Sequence, residues 1–525
     1  MAADEPANRA AIGERAAARS RHWLNPGRIR IYSWTIVAIF GVVLVVWIGL
    51  SLPDLVDPRG KPIGYDFMAY WSAARLVLEG RPEAAFDESM IAAVQHAAVP
   101  FLPGIVFPWH YPPVFLLAVV PLGLLPYATA LAIFILGTAV LWAALISRVL
   151  PDRRAWIVAA AAPAGLITLL DGQNAFFTAA LAGFALLWLD RRPVIAGVLI
   201  GLLAVKPQLA VLFPLALLAE GRWHTIAAAA ATVLALVAAS LVAFGWETWA
   251  VFLDHLPRTQ AMAEAGAVPW GTMPTPYAFT LSLGAPVAAA RVLQGAAVLF
   301  AALCVWRAWR HRDAPFEAKA ATLVTASLLV SPVLFYYDLL WAALAIAWLA
   351  LLGLKSGFRG GEREILLFAW LAPALMPPVQ LLTSVQLGFP AVLLLLFVAV
   401  GRAASPSDPE RRPLRQAIDA VRTASWITRE RVMRWGIGFA VLSAMVMGGS
   451  VALNLTSDVA LKYMSTDFAN YWAAARLAIA GQASVAYDLA GFDAFEKSVF
   501  GPTFADNIYG YPPLHLLLTL PFAVV

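Results

Sequence analysis

Polar residues that could do chemistry interrupt long apolar segments at four places in the sequence. Ionisable groups between apolar segments are costly to bury, so they usually face the interior of a helix bundle or a water-filled cavity. Each of them is therefore a candidate functional residue. They are Asp66, then Asp171, Gln173 and Asn174 of "DGQN", Lys206 and Gln208 of "KPQ", and Tyr336, Tyr337 and Asp338.

Asp66 permits two interpretations. It stands just before the helical run from Phe67 to Glu79, where its side chain would serve as the N-cap of the helix. A carboxylate held where water is scarce can instead act as a general base, which accepts the proton of a hydroxyl group attacking an electrophile. Tyr70 follows one helical turn later, and the spacing predicts that it shares the face of Asp66.

The other candidates also have two interpretations each. Lys206 lies between apolar residues, where it either snorkels to the membrane surface or neutralises an anionic substrate or leaving group. Arg75 belongs to an interfacial amphipathic helix or uses its planar guanidinium to bind a lipid phosphate. Gln173 and Asn174 are helix-capping and turn residues, or they hydrogen-bond the hydroxyl groups of a sugar.

The composition indicates a polytopic membrane protein. Of the 525 residues, 61% are hydrophobic and only 13% are charged, whereas an ordinary soluble chain has about 25% charged residues. Soluble enzymes and nucleic-acid-binding proteins are thereby excluded. The sequence has no Walker A loop or dinucleotide fingerprint, its histidines lack metal-ligand spacing, and its single cysteine, Cys304, rules out an intramolecular disulfide. No cofactor, metal site or nucleic-acid partner is expected.

Charge and hydropathy together predict the topology. Residues 1–30 form a basic tail with six arginines before the apolar run from Ile31 to Leu52, which is typical of a signal anchor with a cytoplasmic N-terminus. We expect about twelve crossings before Gly401. The short basic connections then lie in the cytoplasm, and the candidate site faces outward. The further apolar runs are 127–149, 155–170, 175–189, 194–219, 225–244, 287–308, 318–335, 339–353, 365–383 and 387–401.

Two stretches leave the topology open. Residues 112–126 are interpreted as a short helix at the outer face, and 194–219 as a hairpin with Lys206 near its outer tip. The alternative is two crossings in the region from Pro112 to Leu150 and one in 194–219. We prefer the first interpretation because the alternative would put two arginine pairs outside, against the positive-inside bias.

The chain also begins a second copy of itself. The segment "DFMAYWSAARLVLEG" from Asp66 returns as "DFANYWAAARLAIAG" from Asp467, and "YPPVFLLAVVPL" from Tyr111 returns as "YPPLHLLLTLPF" from Tyr511. A direct repeat of this length indicates a repeated domain. The predicted organisation is a basic tail (1–30), a transmembrane domain (31–401), a basic cytoplasmic linker (402–434) and a partial second copy (435–525) consisting of the first span and an outer loop.

The combination of these motifs resembles glycosyltransferase family 87. The resemblance is carried by the segment from Asp66, by "YPPVFLLAVVPLGLLPY", by the region from "DGQNAFF" to "AVKPQLAVLFPLALLAEGRW", and by "SPVLFYYDLL". It implies an all-α bundle of the GT-C type in a bacterial inner membrane. It also implies transfer of a sugar, mannose in the best-known members, from a polyprenyl-phosphate donor to a lipid-linked or envelope glycan.

The resemblance further implies roles for individual residues. By the resemblance, Asp66 would be the catalytic base, and Lys206, Gln208 and Asn174 would line the donor site. Our own hypothesis is an inverting transferase in which Lys206, with help from Arg75, stabilises the departing phosphate. The remaining substrate-binding candidates are Tyr70, Gln173, Tyr337 and Asp338. Asp467 and Arg476 are the second-copy equivalents of Asp66 and Arg75, but that copy lacks counterparts of Asn174 and Lys206.

Two rival functions belong to other classes. A transporter or lipid flippase would use the same intramembrane charges as a translocation path, although the direct repeat differs from the inverted repeats of many transporters. A non-catalytic membrane scaffold would need Asp66 only as a helix cap.

Overall fold

The computed structural model describes residues 26–57, 60–100, 106–150, 155–264, 269–404, 433, 466–501, 504, 509–511 and 513–524. Within these ranges the protein is helical, and the β-pairing is limited to an isolated antiparallel bridge between Val56 and Pro62. The chain divides into two compact units, Met1–Ile418 and Asp419–Val525. The all-α class predicted from the sequence is confirmed.

The first unit contains α-helices joined by short loops and 3₁₀ turns. The α-helices are α1 (Pro26–Ser51), α2 (Tyr65–Leu78), α3 (Glu88–Ala98), α4 (Pro113–Val119), α5 (Tyr127–Val149), α6 (Ala155–Ala160), α7 (Pro163–Asp171), α8 (Ala175–Trp188), α9 (Pro193–Leu202), α10 (Phe213–Glu220), α11 (Trp223–Glu264), α12 (Pro276–Ser282), α13 (Val287–Arg310), α14 (Phe316–Ser327), α15 (Leu340–Ser356), α16 (Glu362–Thr383) and α17 (Gly388–Ala404). The 3₁₀ turns are Pro82–Phe86, Val120–Leu124, Leu203–Val205, Pro207–Leu209, Trp270–Thr272 and Tyr336–Leu339.

Six helices in the described ranges are long and apolar enough to cross a membrane. The prediction of about twelve crossings is therefore not confirmed. Several of the remaining predicted spans are apolar helices shorter than a bilayer is thick. The six candidate spans are Gly27–Ser51, Tyr127–Val149, Trp223–Pro257, Val287–Arg310, Tyr336–Ser356 and Glu362–Thr383.

Prolines lie at the breaks in two of the predicted apolar runs, of which 194–219 was expected to be interrupted at Lys206. In 155–170 the helix stops after α6, and Pro163 starts α7, a position where the missing N–H of proline has no effect. In 194–219 the break falls at Lys206, between the 3₁₀ turns Leu203–Val205 and Pro207–Leu209. Residues 112–126 form α4 and a 3₁₀ turn separate from α5, in agreement with the predicted short helix.

Small residues hold the short helix α9 firmly in place. A Cβ added to Gly197 would lie 2.5 Å from the backbone oxygen of Thr225, and one added to Gly201 would lie 2.5 Å from the Cβ of Thr232. The backbones of α9 and α11 therefore approach closely, as small residues allow in membrane helices. Because Lys206 follows the end of α9 by only four residues, its backbone position is fixed by this packing.

An aromatic cluster surrounds the inner face of α2. Phe67 and Tyr70 of this helix are buried, together with Trp109 and Phe115, whose rings stack with centroids 5.5 Å apart. The ring of Tyr70 makes edge contacts with Trp109 and Phe115. This packing orients α2 so that the side chains in its first turn point toward the interior of the first unit.

The second unit repeats the order of elements found in residues 65–124. Its helices and turns are α18 (Thr466–Ile479), the 3₁₀ turn Ala483–Tyr487, α19 (Leu489–Phe500), α20 (Pro513–Thr519) and the 3₁₀ turn Leu520–Val524. The hydroxyl groups of Tyr471 and Tyr511 are 2.8 Å apart, which is the distance between those of Tyr70 and Tyr111 in the first unit.

Most of the predicted linker and the whole predicted first span of the second copy lie outside the described residues. These are residues 405–432 and 434 of the linker, and the run 435–455. The second copy of the domain therefore stays a prediction, although the described segments have the elements that the repeat leads one to expect.

Candidate functional site

The N-cap interpretation of Asp66 is wrong. Helix α2 starts after Gly64, whose φ of +65° is in the left-handed region, and Asp66 is already in the first helical turn. Its carboxylate instead points to another part of the chain, where Oδ2 accepts a hydrogen bond of 2.8 Å from Nε2 of Gln173. The side chain is only partly buried. Asp66 is thus held from one side and remains accessible from another.

The turn that follows α7 brings Gln173 to Asp66. Gly172 ends this helix with φ +73°, and a Cβ at this position would lie 2.7 Å from the Cβ of Phe67 and 3.0 Å from the Cα of Gly64. Glycine is required here for its left-handed conformation and because the turn packs directly against the start of α2. This close packing sets the register between "DGQN" and Asp66.

Gln173 is the centre of a hydrogen-bond network. Its Oε1 accepts hydrogen bonds from the hydroxyl groups of Tyr70 at 2.6 Å and Tyr111 at 3.3 Å, and the two hydroxyl oxygens are 2.8 Å apart. These donors leave Nε2 to donate to Asp66, so the orientation of the amide is fixed. Asp66 and Tyr70 both hydrogen-bond to Gln173, which confirms the prediction that they share one face of the helix.

Asn174 is buried without any hydrogen bond from its side chain. It precedes α8 but does not cap it, and neither Oδ1 nor Nδ2 has a partner within the described part of the chain. A buried amide usually finds a partner, because leaving its polar atoms unsatisfied is costly. Asn174 occupies the N-cap position of α8, but the interpretation that its side chain caps the helix is wrong, and its buried amide is left unpaired among the described residues.

Lys206 forms a buried ion pair with Asp338. Its Nζ lies 2.6 Å from Oδ1 of Asp338 and 5.2 Å from the centroid of the Tyr337 ring. The second carboxylate oxygen of Asp338 accepts a hydrogen bond from the backbone N–H of Phe335 at 3.3 Å. Charges this deeply buried are expected to be paired. The snorkelling interpretation of Lys206 is wrong, since the side chain is buried rather than extended to a surface.

The electrostatic environment poises Asp66 to take up a proton. Burial raises the pKa of its carboxyl group to about 6. The hydrogen bond from Gln173 and the positive charges of Lys61 and Lys206 lower this pKa and so offset part of the effect of burial. The negative charge of Asp338 raises this pKa further. A base is most effective when its pKa lies near the working pH, because it is then largely ionised and still basic.

Two predicted site residues are not brought into this cluster. Arg75 is exposed, with its Nη1 3.3 Å from the backbone oxygen of Gly123 and its guanidinium over the ring of Trp71 at 5.8 Å. Gln208 is half-buried in the turn after Lys206, and no hydrogen bond joins it to the cluster among the described residues. In the second unit, Asp467 lies in the first turn of α18, and Arg476 packs over Trp472 at 5.3 Å.

The sequence did not single out two residues that belong to the cluster. The hydroxyl group of Tyr111 reaches Gln173, and its recurrence as Tyr511 is the signal in the sequence that points to this residue. Lys61 lies with its Nζ 4.4 Å from the centroid of the Tyr65 ring, next to Asp66. Across the described ranges, no group of three or more His, Cys, Asp or Glu side chains is arranged to hold a metal ion.

The described fold combines helices long and apolar enough to cross a membrane with a buried cluster of polar side chains. Residues 109–332 match the model of glycosyltransferase family 87, which confirms the family resemblance seen in the sequence. The family match and the apolar helices indicate a membrane glycosyltransferase. The matched region includes Gln173 and Lys206, while Asp66 and Asp338 lie on either side of it. No curated protein and no solved structure matches the chain.

Proposed function

We propose that the protein is an inverting transferase that moves a hexose, such as mannose, or a pentose from a polyprenyl-phosphate donor to a lipid-linked or envelope glycan. The reaction takes place at the outer face of a bacterial inner membrane. The main support is the position of Asp66, a partly exposed carboxylate that is held by Gln173 and whose pKa is raised to about 6 by burial.

Asp66 acts as the general base in a single displacement. Because Gln173 holds Oδ2, the other carboxylate oxygen takes the proton from an acceptor hydroxyl group. The resulting oxygen nucleophile attacks the anomeric carbon, a new C–O bond forms, and the bond from that carbon to the phosphate oxygen breaks. The electron pair of the broken bond leaves with the polyprenyl phosphate.

Lys206 stabilises the leaving phosphate. An ammonium group has three N–H donors, and the ion pair with Asp338 occupies one side of it. Fixed positive charge placed where negative charge develops is usually the largest catalytic contribution. Asp338 keeps Lys206 charged and oriented in a buried setting before the donor binds.

The proposal is tested by transfer of labelled sugar from a panel of polyprenyl-phosphate sugars to endogenous lipid. Membranes would contain the wild type, Asp66→Asn, or the matched control Asp190→Asn, with expression and folding matched. Asp190 is an exposed carboxylate that pairs with Arg222 at 2.5 Å. We expect transfer by the wild type and the control but not by Asp66→Asn.

Other outcomes would contradict specific parts of the proposal. Equal transfer by wild type and Asp66→Asn would remove Asp66 from the mechanism. Failure of the wild type with every donor would contradict the transferase itself, and uptake into vesicles that depends on a coupling ion would then favour a transporter.

A further inference from the structure

Asp171 lies next to the proposed base without taking part in its hydrogen-bond network. It is the last residue of α7, and its side chain is only 5% exposed. Its Oδ2 is fully buried and has no hydrogen-bond partner within the described part of the chain. The carboxylate is also close enough to Asp66 for the two negative charges to repel each other.

Tyrosine side chains and a cation surround Asp171. The phenol groups of Tyr65 and Tyr336 contact its carboxylate, and the charge of Lys61 acts on it as well. Tyr65, Tyr336 and Lys61 are half-buried, whereas Asp171 and Asn174 are buried behind them. Asp171, Tyr65, Tyr336 and Lys61 therefore form a polar cluster beside Asp66, and Asn174 follows Asp171 by three residues.

The unsatisfied polar atoms of Asp171 and Asn174 distinguish this cluster from ordinary core. An unpaired buried carboxylate oxygen is costly, and repulsion from Asp66 adds to that cost. The amide of Asn174, three residues later, is unpaired too. Buried polar atoms without hydrogen-bond partners are typical of binding sites when they cluster beside a reactive group, because a ligand supplies the missing partners.

The distribution of charge determines how a ligand is oriented within the site. The negative charges of Asp66 and Asp171 would repel a phosphate, whereas Lys206 carries the positive charge that attracts one. A ligand with an anionic end and a hydroxyl-rich end would therefore place its hydroxyl groups at Asp171 and its phosphate at Lys206. Neutral hydroxyl groups are good donors to a carboxylate oxygen.

We propose that Asp171 is a sugar-binding residue, whose carboxylate accepts a hydrogen bond from a ring hydroxyl group of the sugar that reacts next to Asp66. The amide of Asn174 binds a second hydroxyl group, and Tyr65 and Tyr336 flank the ring. This role rests on the proposed transferase function. The sugar is a polyol of either the donor or the acceptor, and the experiment below separates these two sources.

Binding measurements on the purified full-length protein test this proposal. The ligands are short-chain polyprenyl-phosphate mannose, glucose and arabinose, an alkyl glycoside of each sugar as a neutral acceptor mimic, and the monodeoxy derivatives of each. The proteins are the wild type, Asp171→Ala, Asp171→Asn and the control Asp190→Asn. Affinity is measured by calorimetry, and folding by the melting temperature.

We expect one deoxygenation to weaken binding to the wild type about tenfold or more, since a hydrogen bond to a charged group is lost. Asp171→Ala should bind the parent sugar equally weakly and be insensitive to that same deoxygenation. Asp171→Asn should melt at or above the wild-type temperature, because it removes a buried charge that Asp66 repels and whose Oδ2 has no hydrogen-bond partner in the described part of the chain. If the effects of Asp171→Ala and of the deoxygenation are non-additive only for the polyprenyl-phosphate sugars, the bound sugar belongs to the donor. If they are non-additive only for the alkyl glycosides, the bound sugar belongs to the acceptor.

Several results would overturn the role of Asp171. They are equal losses from deoxygenation in the wild type and Asp171→Ala, a collapse of folding in both Asp171 variants, and absence of sugar binding by the wild type. If these two effects on affinity are non-additive but the protein transfers no sugar, the sugar-binding role of Asp171 is supported. Only the transferase proposal is then contradicted.

Discussion

At the scale of single residues, the protonation of Asp66 is the property most directly tied to the proposed reaction. Burial raises its pKa to about 6, and the hydrogen bond from Gln173 opposes this shift. Because only the ionised base accepts a proton, kcat/KM should fall about tenfold for each pH unit below about 6. Gln173→Leu removes the opposing hydrogen bond and should move the midpoint of the pH–rate profile upward.

The same shift predicts how stability depends on pH. The folded protein holds the proton of Asp66 more tightly than the unfolded chain does, so the contribution of Asp66 to stability falls as pH rises from about 4 to about 6. Asp66→Asn should thus melt above the wild type at pH 7 and lose this advantage near pH 4.

The pH–rate prediction has its own contrary outcome. If Gln173→Leu left the midpoint of the pH–rate profile unchanged, the assignment of that midpoint to Asp66 would be contradicted.

The buried pair of Lys206 and Asp338 is a second test at this scale. Lys206→Met alone leaves Asp338 buried without its counter-charge, which costs about 3–5 kcal/mol of unfolding free energy. Adding Asp338→Asn removes that charge and keeps an acceptor for the backbone N–H of Phe335. The double variant should therefore regain most of the lost stability, measured by thermal unfolding in detergent, and still transfer no sugar.

Normal transfer by the folded double variant would show that neither charge is needed. A double variant no more stable than Lys206→Met would show that the ion pair is not the reason for the instability. The two readouts separate the structural contribution of Lys206 from its contribution to the reaction.

At the scale of elements, the turn between α7 and α8 decides whether the site forms. Gly172→Ala should cost about 1–2 kcal/mol for its left-handed backbone and more for the clash with Phe67. It should also lower kcat by moving Gln173 away from Asp66. Gly80→Ala is a matched control, because Gly80 has φ +77° but open space around its added Cβ.

Transfer assays and thermal unfolding of both glycine variants provide the comparison. Gly80→Ala should lose stability and keep its transfer rate when folded. If both variants kept the rate, close packing of the turn against α2 would not be required for catalysis.

The sequence predicted individual helices well where one long apolar run determines the element. The run 127–149 coincides with α5, and 287–308 falls within α13. It failed at 155–170, where the helix stops after α6 and Pro163 starts α7, because the apolar character of a run does not show a local break in the helix. The break at Lys206 agrees with the interruption predicted within 194–219. The six candidate spans in the described residues leave the predicted number of about twelve crossings unconfirmed.

The site could be predicted in part for a similar reason. Local spacing placed Tyr70 on the face of Asp66, and the cost of burial marked Lys206 and Asp338 as functional candidates. Their partners could not be predicted, because the contacts of Gln173 with Asp66 and of Lys206 with Asp338 join residues far apart in the sequence. Asn174 looked like a cap from its position alone, and only the fold shows that its amide is unpaired.

At the scale of the whole molecule, the two units separate scaffold from site. The tyrosine pair forms in the second unit at the same distance as in the first, although the described part of that unit has no counterpart of Gln173. The pairing of Tyr70 with Tyr111 is therefore a property of the helical scaffold. Gln173 binds to tyrosine hydroxyl groups that the scaffold already holds together, which favours a rigid position for Asp66.

The orientation of the molecule in the membrane can be tested by labelling single cysteines introduced into a variant that lacks Cys304. Cys304 is the single cysteine and is buried, so Cys304→Ala provides a background for labelling. The side chains of Glu79 and Asp190 are 40% and 67% exposed, which makes both suitable for substitution by cysteine. Asp190 precedes Arg191 and Arg192, and the positive-inside bias predicts that this connection lies in the cytoplasm.

An impermeant maleimide applied to intact cells should therefore label Glu79→Cys, and should label Asp190→Cys only after the membrane is permeabilised. Glu79 directly follows α2, whose first turn carries Asp66, and a helix of 14 residues is too short to cross a bilayer. Labelling at Glu79→Cys from outside thus places the proposed base on the outer side. The reverse pattern would put Asp66 on the cytoplasmic side and contradict transfer at the outer face.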